Sequence, residues 1–225
     1  MYLALIADVI DSKMVQERLD LQKQVEKTLQ KMNELFGDYL ASRFTLTLGD
    51  EFQALLEVDA PVFQIIDTLR LELNPTQLRF GIGLGEIVTA IDPLQSVGAD
   101  GPAYWNARAA INFVHQKNDY GNTQIYFSSG KENKDFFVNA LIASGEAIRS
   151  SWRDSQEEIL LNLLKRSVYS ESFSQQDLAQ SLAINPSALS KRLKSSSIRV
   201  YLRGRAAALA SIQSTVKGVE DERIV

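Results

Sequence analysis

The 225-residue chain contains no cysteine. That excludes disulfides and thiolate metal sites and points to a reducing compartment, the cytoplasm. Its one histidine, His115, excludes a zinc centre built from several imidazoles. It falls late on an amphipathic stretch, which reads as a solvent-facing position without a role. The apolar start, residues 2–7, runs into Asp8 after only six residues. This is too short for the apolar region of a signal peptide or for a membrane span, so no membrane partner is expected. What is present is ordinary for a soluble globular protein, 45% apolar and 23% charged. The length suffices for one large domain or two smaller ones, each with its own core.

The net charge of −4 hides an asymmetry. Residues 1–149 carry 13 Lys+Arg against 20 Asp+Glu, residues 150–217 carry 10 against 5, and the acidic tail, 218–225, carries 1 against 3. An acidic front and a basic back predict two modules with different partners, divided at 149/150.

The pattern of the front module is β, long α, β-hairpin, α, β, α, β, α. Residues 2–7 read as a buried strand and residues 15–40 as a long amphipathic stretch, one helix or two, entered at Asp11 or Ser12 and ended near Gly37. From Arg43 to Val58 two alternating runs flank Gly49-Asp50, which predicts a hairpin with Gly49 at the positive φ of the turn; Leu55 breaks the alternation. Helices follow over 60–73, 102–117 and 135–149, and strands over 78–88 and 124–127. The strand at 78–88 carries Gly81, Gly83 and Gly85. Glycines at alternate strand positions mark close approach of either a packed helix or a ligand. The result is an α/β fold with an obligatory antiparallel pair at its centre.

Asp8 ends the first strand, and Asp50 and Glu51 sit at the hairpin tip. With strand one beside the hairpin, Asp8 and Asp50 fall at the same sheet edge, where two carboxylates repel unless a cation lies between them. The helix N-terminus after Asp11 would offer free N–H groups to an anion. Carboxylates for Mg²⁺ (or Mn²⁺) beside donors for phosphate are what a metal–nucleotide site needs. The plainer reading is that Asp50 and Gly49 are ordinary turn residues.

Four blocks carry a resemblance: Ala7-Asp8-Val9-Ile10-Asp11-Ser12, Leu48-Gly49-Asp50-Glu51-Phe52, the segment Arg79 to Glu86, and Gly98-Ala99-Asp100-Gly101-Pro102-Ala103-Tyr104-Trp105-Asn106-Ala107-Arg108. Together they resemble the SatD family and, more distantly, the palm domain of class III nucleotidyl cyclases and GGDEF diguanylate cyclases. The resemblance implies a bacterial protein with a ferredoxin-like, cyclase-type palm over 1–149. It implies metal ligands at Asp8 and Asp50, and phosphate contacts from Val9, Ile10, Asp11 and Ser12 beside the hairpin Gly49. It also implies a catalytic or substrate-orienting role for Asn106. Such cyclases carry an Arg four residues after that Asn; position 110 here is Ala, and Arg108 is two residues on, about 200° around the helix. The hairpin also lacks the doubled glycine of a diguanylate cyclase. Both departures argue against efficient cyclisation. Tyr104 and Trp105 read as core residues in preference to base-stacking ones.

The back module reads as an all-α helix-turn-helix domain over 150–217. Helices are predicted over 156–166, from Ser174 through Leu182, over 187–194 and over 198–216. Pro186 fits a first helical position, and Ala183 stands where many such turns use Gly, at a cost on the order of 1 kcal/mol for a left-handed Ala. Ser187, Ser190, Lys191, Arg192 and Lys194 form a polar, basic face suited to DNA; a protein-interaction domain could use the same packing. From Gly218 a frayed tail is expected.

The expectation is a SatD-like cytoplasmic DNA-binding regulator, in which a Mg-nucleotide bound to the palm modulates the helix-turn-helix domain of a homodimer. The alternatives are a nucleotidyl cyclase or other phosphoryl-transfer enzyme, and a ligand-free dimerisation scaffold.

Overall fold

The computed structural model describes residues 1–11 and 18–222. Strand β1 (Tyr2–Val9) forms the middle of a five-stranded sheet, with β2 (Leu40–Leu48) and β3 (Glu51–Leu56) on one side and β4 (Leu78–Gly85) and β5 (Ile125–Ser128) on the other. β1 is antiparallel to both β3 and β4, β2 and β3 form an antiparallel hairpin, and only the β4–β5 pair is parallel. The chain is therefore a mixed α/β protein.

Both faces of the sheet are covered. Helices α1 (Arg18–Leu35) and α2 (Val62–Glu72), with α4 (Glu132–Ser150), bury Leu3, Leu5, Ala7, Phe52, Ala54 and Phe80 on one face. Helix α3 (Pro102–His115) covers the other, over Ala4, Ile6 and Leu55. That second cover explains Leu55: alternation fails in a strand buried on both sides. Helix α1 stops close to the end the sequence predicts, near Gly37. It ends at Leu35, a 3₁₀ turn covers Gly37–Tyr39, and Leu40 already pairs with Leu56.

The glycines of β4 serve α3. A Cβ on Gly83 would lie 2.1 Å from the Ala103 carbonyl oxygen and 2.1 Å from the Ala107 nitrogen, and one on Gly81 would lie 2.3 Å from the Ala107 oxygen. The packed helix, not a ligand, needs the missing side chains. Because α3 runs antiparallel to β4, its C-terminal His115 arrives at the start of β4 and the end of β1.

Four more helices follow: α5 (Asp154–Lys165), α6 (Gln175–Ser181), α7 (Pro186–Ser196) and α8 (Ile198–Glu222). α5–α7 and the first turns of α8 enclose a second core containing Ile159, Leu163, Leu178, Ala179, Leu189 and Leu202. Packing does not stop at residue 149. Further along α8, Ala208, Ile212 and Val216 enter the core of the α/β layer. α8 also stays helical to Glu222, past Gly218, where the sequence suggests fraying.

A buried ionic network ties the two parts together. Asp67 on α2 accepts hydrogen bonds from Arg149 (2.6 Å), Tyr169 (2.6 Å) and Tyr201 of α8 (2.6 and 2.8 Å). Glu146 on α4 takes a bidentate pair from Arg70 at 2.8 and 2.7 Å and a third bond from Arg205 of α8 at 2.7 Å. Arg149 also forks onto Glu157 of α5 through Nε and Nη2, each at 3.0 Å. Three carboxylates and three guanidiniums balance, the condition under which charges persist in an interior.

Candidate functional site

The end of β1 gathers charge because of register. Asp8 stands between Glu51 of β3 and Arg79 of β4. The Val9 N–H donates to the Asp50 carbonyl at 3.2 Å, so the hairpin tip is fastened beside Asp8. Side chains of Asp8, Glu51 and Arg79 project to the face carrying α3, which adds Arg108 and His115.

Two ion clusters result. His115 Nε2 pairs with Asp8 Oδ2, and Arg79 contacts the His115 ring and lies 3.8 Å from the same carboxylate oxygen. Arg108 forks onto Glu51 at 2.5 and 2.8 Å, and Thr47 Oγ1 donates to the Glu51 backbone carbonyl at 2.9 Å. Asp8 is 8% exposed, and its Oδ1 has no hydrogen-bond partner among the described residues. Burial raises the Asp8 pKa; Arg79 and His115 pull it back, and Asp50 adds to the rise. The Arg108 hydrogen bond holds Glu51 below its ordinary value despite burial. A buried carboxylate oxygen without a donor, next to a second carboxylate, suits a hard cation. Among the described residues, no three His, Asp or Glu side chains converge on one metal position. Asp8 and Asp50 thus fit an ion such as Mg²⁺, which takes one or two carboxylates and fills its remaining positions with phosphate and water.

The other residues singled out from sequence fall differently. Val9 and Ile10 cannot offer free N–H groups to phosphate, because Val9 binds Asp50 and the Ile10 N–H donates to Gln77 at 2.9 Å. Asp11 adopts a left-handed conformation at φ 54°, and Ser12 lies outside the described residues. Gly49 takes φ +64° in the hairpin turn. Asn106 is not at this edge. Its Nδ2 donates to the Leu84 carbonyl at 2.8 Å, and Leu84 pairs with Leu3, five residues and roughly 17 Å along β1 from Asp8. It therefore braces β4 at the opposite end of the sheet. His115 and Arg79, by contrast, were invisible as partners of Asp8, since no local spacing links residues 8, 79 and 115.

On α7, Ser187, Ser190, Lys191 and Lys194 are exposed at i, i+3, i+4 and i+7, one stripe of the helix. Arg192 leaves that stripe and donates to Glu158 of α5 at 3.0 Å. Asn185 caps the helix by accepting from the Ala188 N–H at 2.7 Å, and Ala183 in the preceding turn has φ 51°.

Among the described residues, no helix is long and apolar enough to cross a membrane. No curated protein matches the chain. Two solved structures of a bacterial light-regulated adenylyl cyclase are similar over 56% of the chain at 12% identity, with TM-scores of 0.39 and 0.40. The match spans 42% of the first of those chains and 74% of the second. A family model matches residues 2–212, nearly the whole chain, and the protein belongs to the SatD family.

Proposed function

We propose that this protein is a DNA-binding regulator whose ferredoxin-like, cyclase-type palm binds a Mg-nucleotide at the end of β1. The observation that carries the reading is Asp8: a buried carboxylate whose Oδ1 has no hydrogen-bond partner among the described residues, with Asp50 beside it. Asp8 and Asp50 would hold the ion, which supplies the charge neutralisation that lets a polyphosphate approach two carboxylates. Arg79, Arg108 and His115 stand around them as donors for phosphate oxygens. DNA binding rests on α6 and α7 as a helix-turn-helix, with Ser187, Ser190, Lys191 and Lys194 presented by a capped helix. Arg192, engaged by Glu158, is left out of that face. The buried network among α2, α4 and α8 gives the two sites a stiff connection. Regulation further requires that the nucleotide favour one arrangement of a homodimer's two DNA-reading helices.

Binding to mixed genomic DNA fragments, followed by fluorescence anisotropy at several salt concentrations, tests the DNA half. With Lys191→Ala and Lys194→Ala combined, affinity falls and the salt slope drops by about 2. Unchanged affinity and slope would remove α7 as the DNA face.

A second reading is favoured by one observation. Arg79 and His115 already contact Asp8, so the palm could be a ligand-free dimerisation scaffold in which side-chain cations replace the metal. It predicts no response to Mg²⁺ or nucleotides. A phosphoryl-transfer enzyme finds less support, because Asn106 sits at the far end of the sheet.

A further inference from the structure

A cleft of about 550 Å³ opens between α3 and strands β1 and β3, running from the Arg108–Glu51 pair toward the N-terminal end of α3. Ile6 and Gln53 form its floor, Asp100 and Trp105 one wall, and Arg108 the end nearest Glu51. Ile6 is two residues from Asp8 on the same face of β1, and Gln53 two from Glu51 on β3, so the floor runs directly into the acidic edge. Tyr104 and Trp105, adjacent in sequence and both expected in the core, separate here. Tyr104 is buried under the 86–101 loop, whereas Trp105 is 57% exposed.

Trp105 is nevertheless held. Its Nε1–H donates to Asp100 Oδ1 at 2.7 Å, and the same oxygen accepts the Gly101 N–H at 2.9 Å. A large aromatic that is open to solvent and fixed in orientation gains nothing for the fold from its exposed face, but loses little entropy when something planar stacks on it. Arg108 lies three residues on, about 4.5 Å along α3, and links this wall to Glu51.

We infer that this cleft takes the nucleobase of the Mg-nucleotide, stacked on Trp105, with Arg108 placed between base and phosphates. The inference rests on the metal–phosphate reading above, and adds that the site recognises a nucleotide and not a polyphosphate alone. Ile6 gives the floor its apolar part; beside it lie the Gln53 amide, whose Nε2 donates to the Ser96 carbonyl at 2.6 Å, and the Asp100 carboxylate, the mixed composition of a small-molecule site.

The chain has two tryptophans, Trp105 and Trp152. Trp152 packs against Tyr201 in the helical core, so Trp152→Phe leaves Trp105 as the sole indole reporter. Titrating that variant with Mg–ATP and Mg–GTP changes its fluorescence, whereas inorganic tripolyphosphate with Mg²⁺ binds without the same change. Trp105→Ala weakens nucleotide binding about tenfold, the effect of one lost base–aromatic stack, leaves tripolyphosphate binding unaltered, and Trp105→Phe restores most of the loss. If Trp105→Ala binds nucleotides as wild type does, or if nucleotides bind no more tightly than tripolyphosphate, the base cleft is overturned and the phosphate site stands. If neither nucleotides nor tripolyphosphate bind wild type, the underlying reading fails and takes the cleft with it.

Discussion

Arg205 of α8 donates Nη2 to Glu146 Oε1 of α4 at 2.7 Å in a contact almost closed to solvent, with Arg205 1% exposed. Its Nε and Nη1 have no hydrogen-bond partner among the described residues, and its guanidinium lies over the Phe63 and Tyr201 rings at 5.2 and 4.8 Å. The aromatic faces supply part of what water would have given. Glu146 also holds Arg70 and accepts the Gln124 N–H, so it is the hub on which α2, α4, β5 and α8 meet.

Glu146→Gln therefore strands two guanidiniums in the interior. The expected loss is about 3–5 kcal/mol, which for a chain of this size lowers Tm by roughly 6–20 °C. Arg205→Met costs less, since it leaves Glu146 paired with Arg70 and removes two unsatisfied nitrogens. Urea denaturation of both variants checks the order; an equal or reversed order would show that Glu146 is not the hub.

Acid should unfold the protein through the same residue. Burial alone would raise the Glu146 pKa, but Arg70 and Arg205 outweigh it and hold the carboxyl well below its ordinary 4.5. A depressed acid stabilises the fold in full above its unfolded-state value, and that contribution is lost as pH falls toward the folded-state value. Wild-type Tm should thus fall as pH drops below about 4.5, and Glu146→Gln should show a shallower fall over that window. Parallel pH profiles for the two proteins would assign the acid transition elsewhere.

Gly83→Ala tests the seating of α3 on β4. The added Cβ would meet backbone atoms of Ala103 and Ala107 at 2.1 Å, which no rotamer change relieves. A loss of about 3 kcal/mol or more is expected, read as lower Tm and increased unfolding by urea; a variant as stable as wild type would show that the helix can rise off the strand at little cost.

Arg108→Ala separates binding from folding. The Glu51 pair is half exposed and solvent-screened, so its loss costs no more than about 1 kcal/mol of stability. If Arg108 contacts phosphate, Mg-nucleotide affinity falls about tenfold or more, the scale of a hydrogen bond to a charged group. Calorimetric titration with intact affinity would exclude Arg108 from the site.

Much of this arrangement could be read from local pattern. The hairpin around Gly49-Asp50 and Pro186 at the start of α7 announce themselves within a few residues, whereas Gly81, Gly83 and Gly85 show only that something approaches β4 closely, a helix or a ligand. Asp8 was legible as a strand end and Asp50 as a hairpin tip, and their proximity followed once strand one was placed beside the hairpin. What stayed hidden depends on distant register. His115 looked like an idle helix end because only the antiparallel run of α3 on β4 carries it to Asp8. Asp67 interrupts an apolar helix face and gave no hint that Arg149, Tyr169 and Tyr201 converge on it. Asn106 failed the other way: a neighbouring motif suggested the site, but its helix position turns it to Leu84.

On the reading proposed above, Asp8 and Asp50 hold a cation for a nucleotide. This is tested most directly by thermal shift of wild type and Asp50→Asn against nucleoside mono-, di- and triphosphates and cyclic dinucleotides, with and without Mg²⁺. A ligand at about 100 times its Kd adds about 2.7 kcal/mol, a rise of roughly 5–10 °C. Such a rise is expected for wild type only when Mg²⁺ and a nucleotide are both present, and is lost in Asp50→Asn. No shift with any nucleotide, or an equal shift in both proteins, would contradict it.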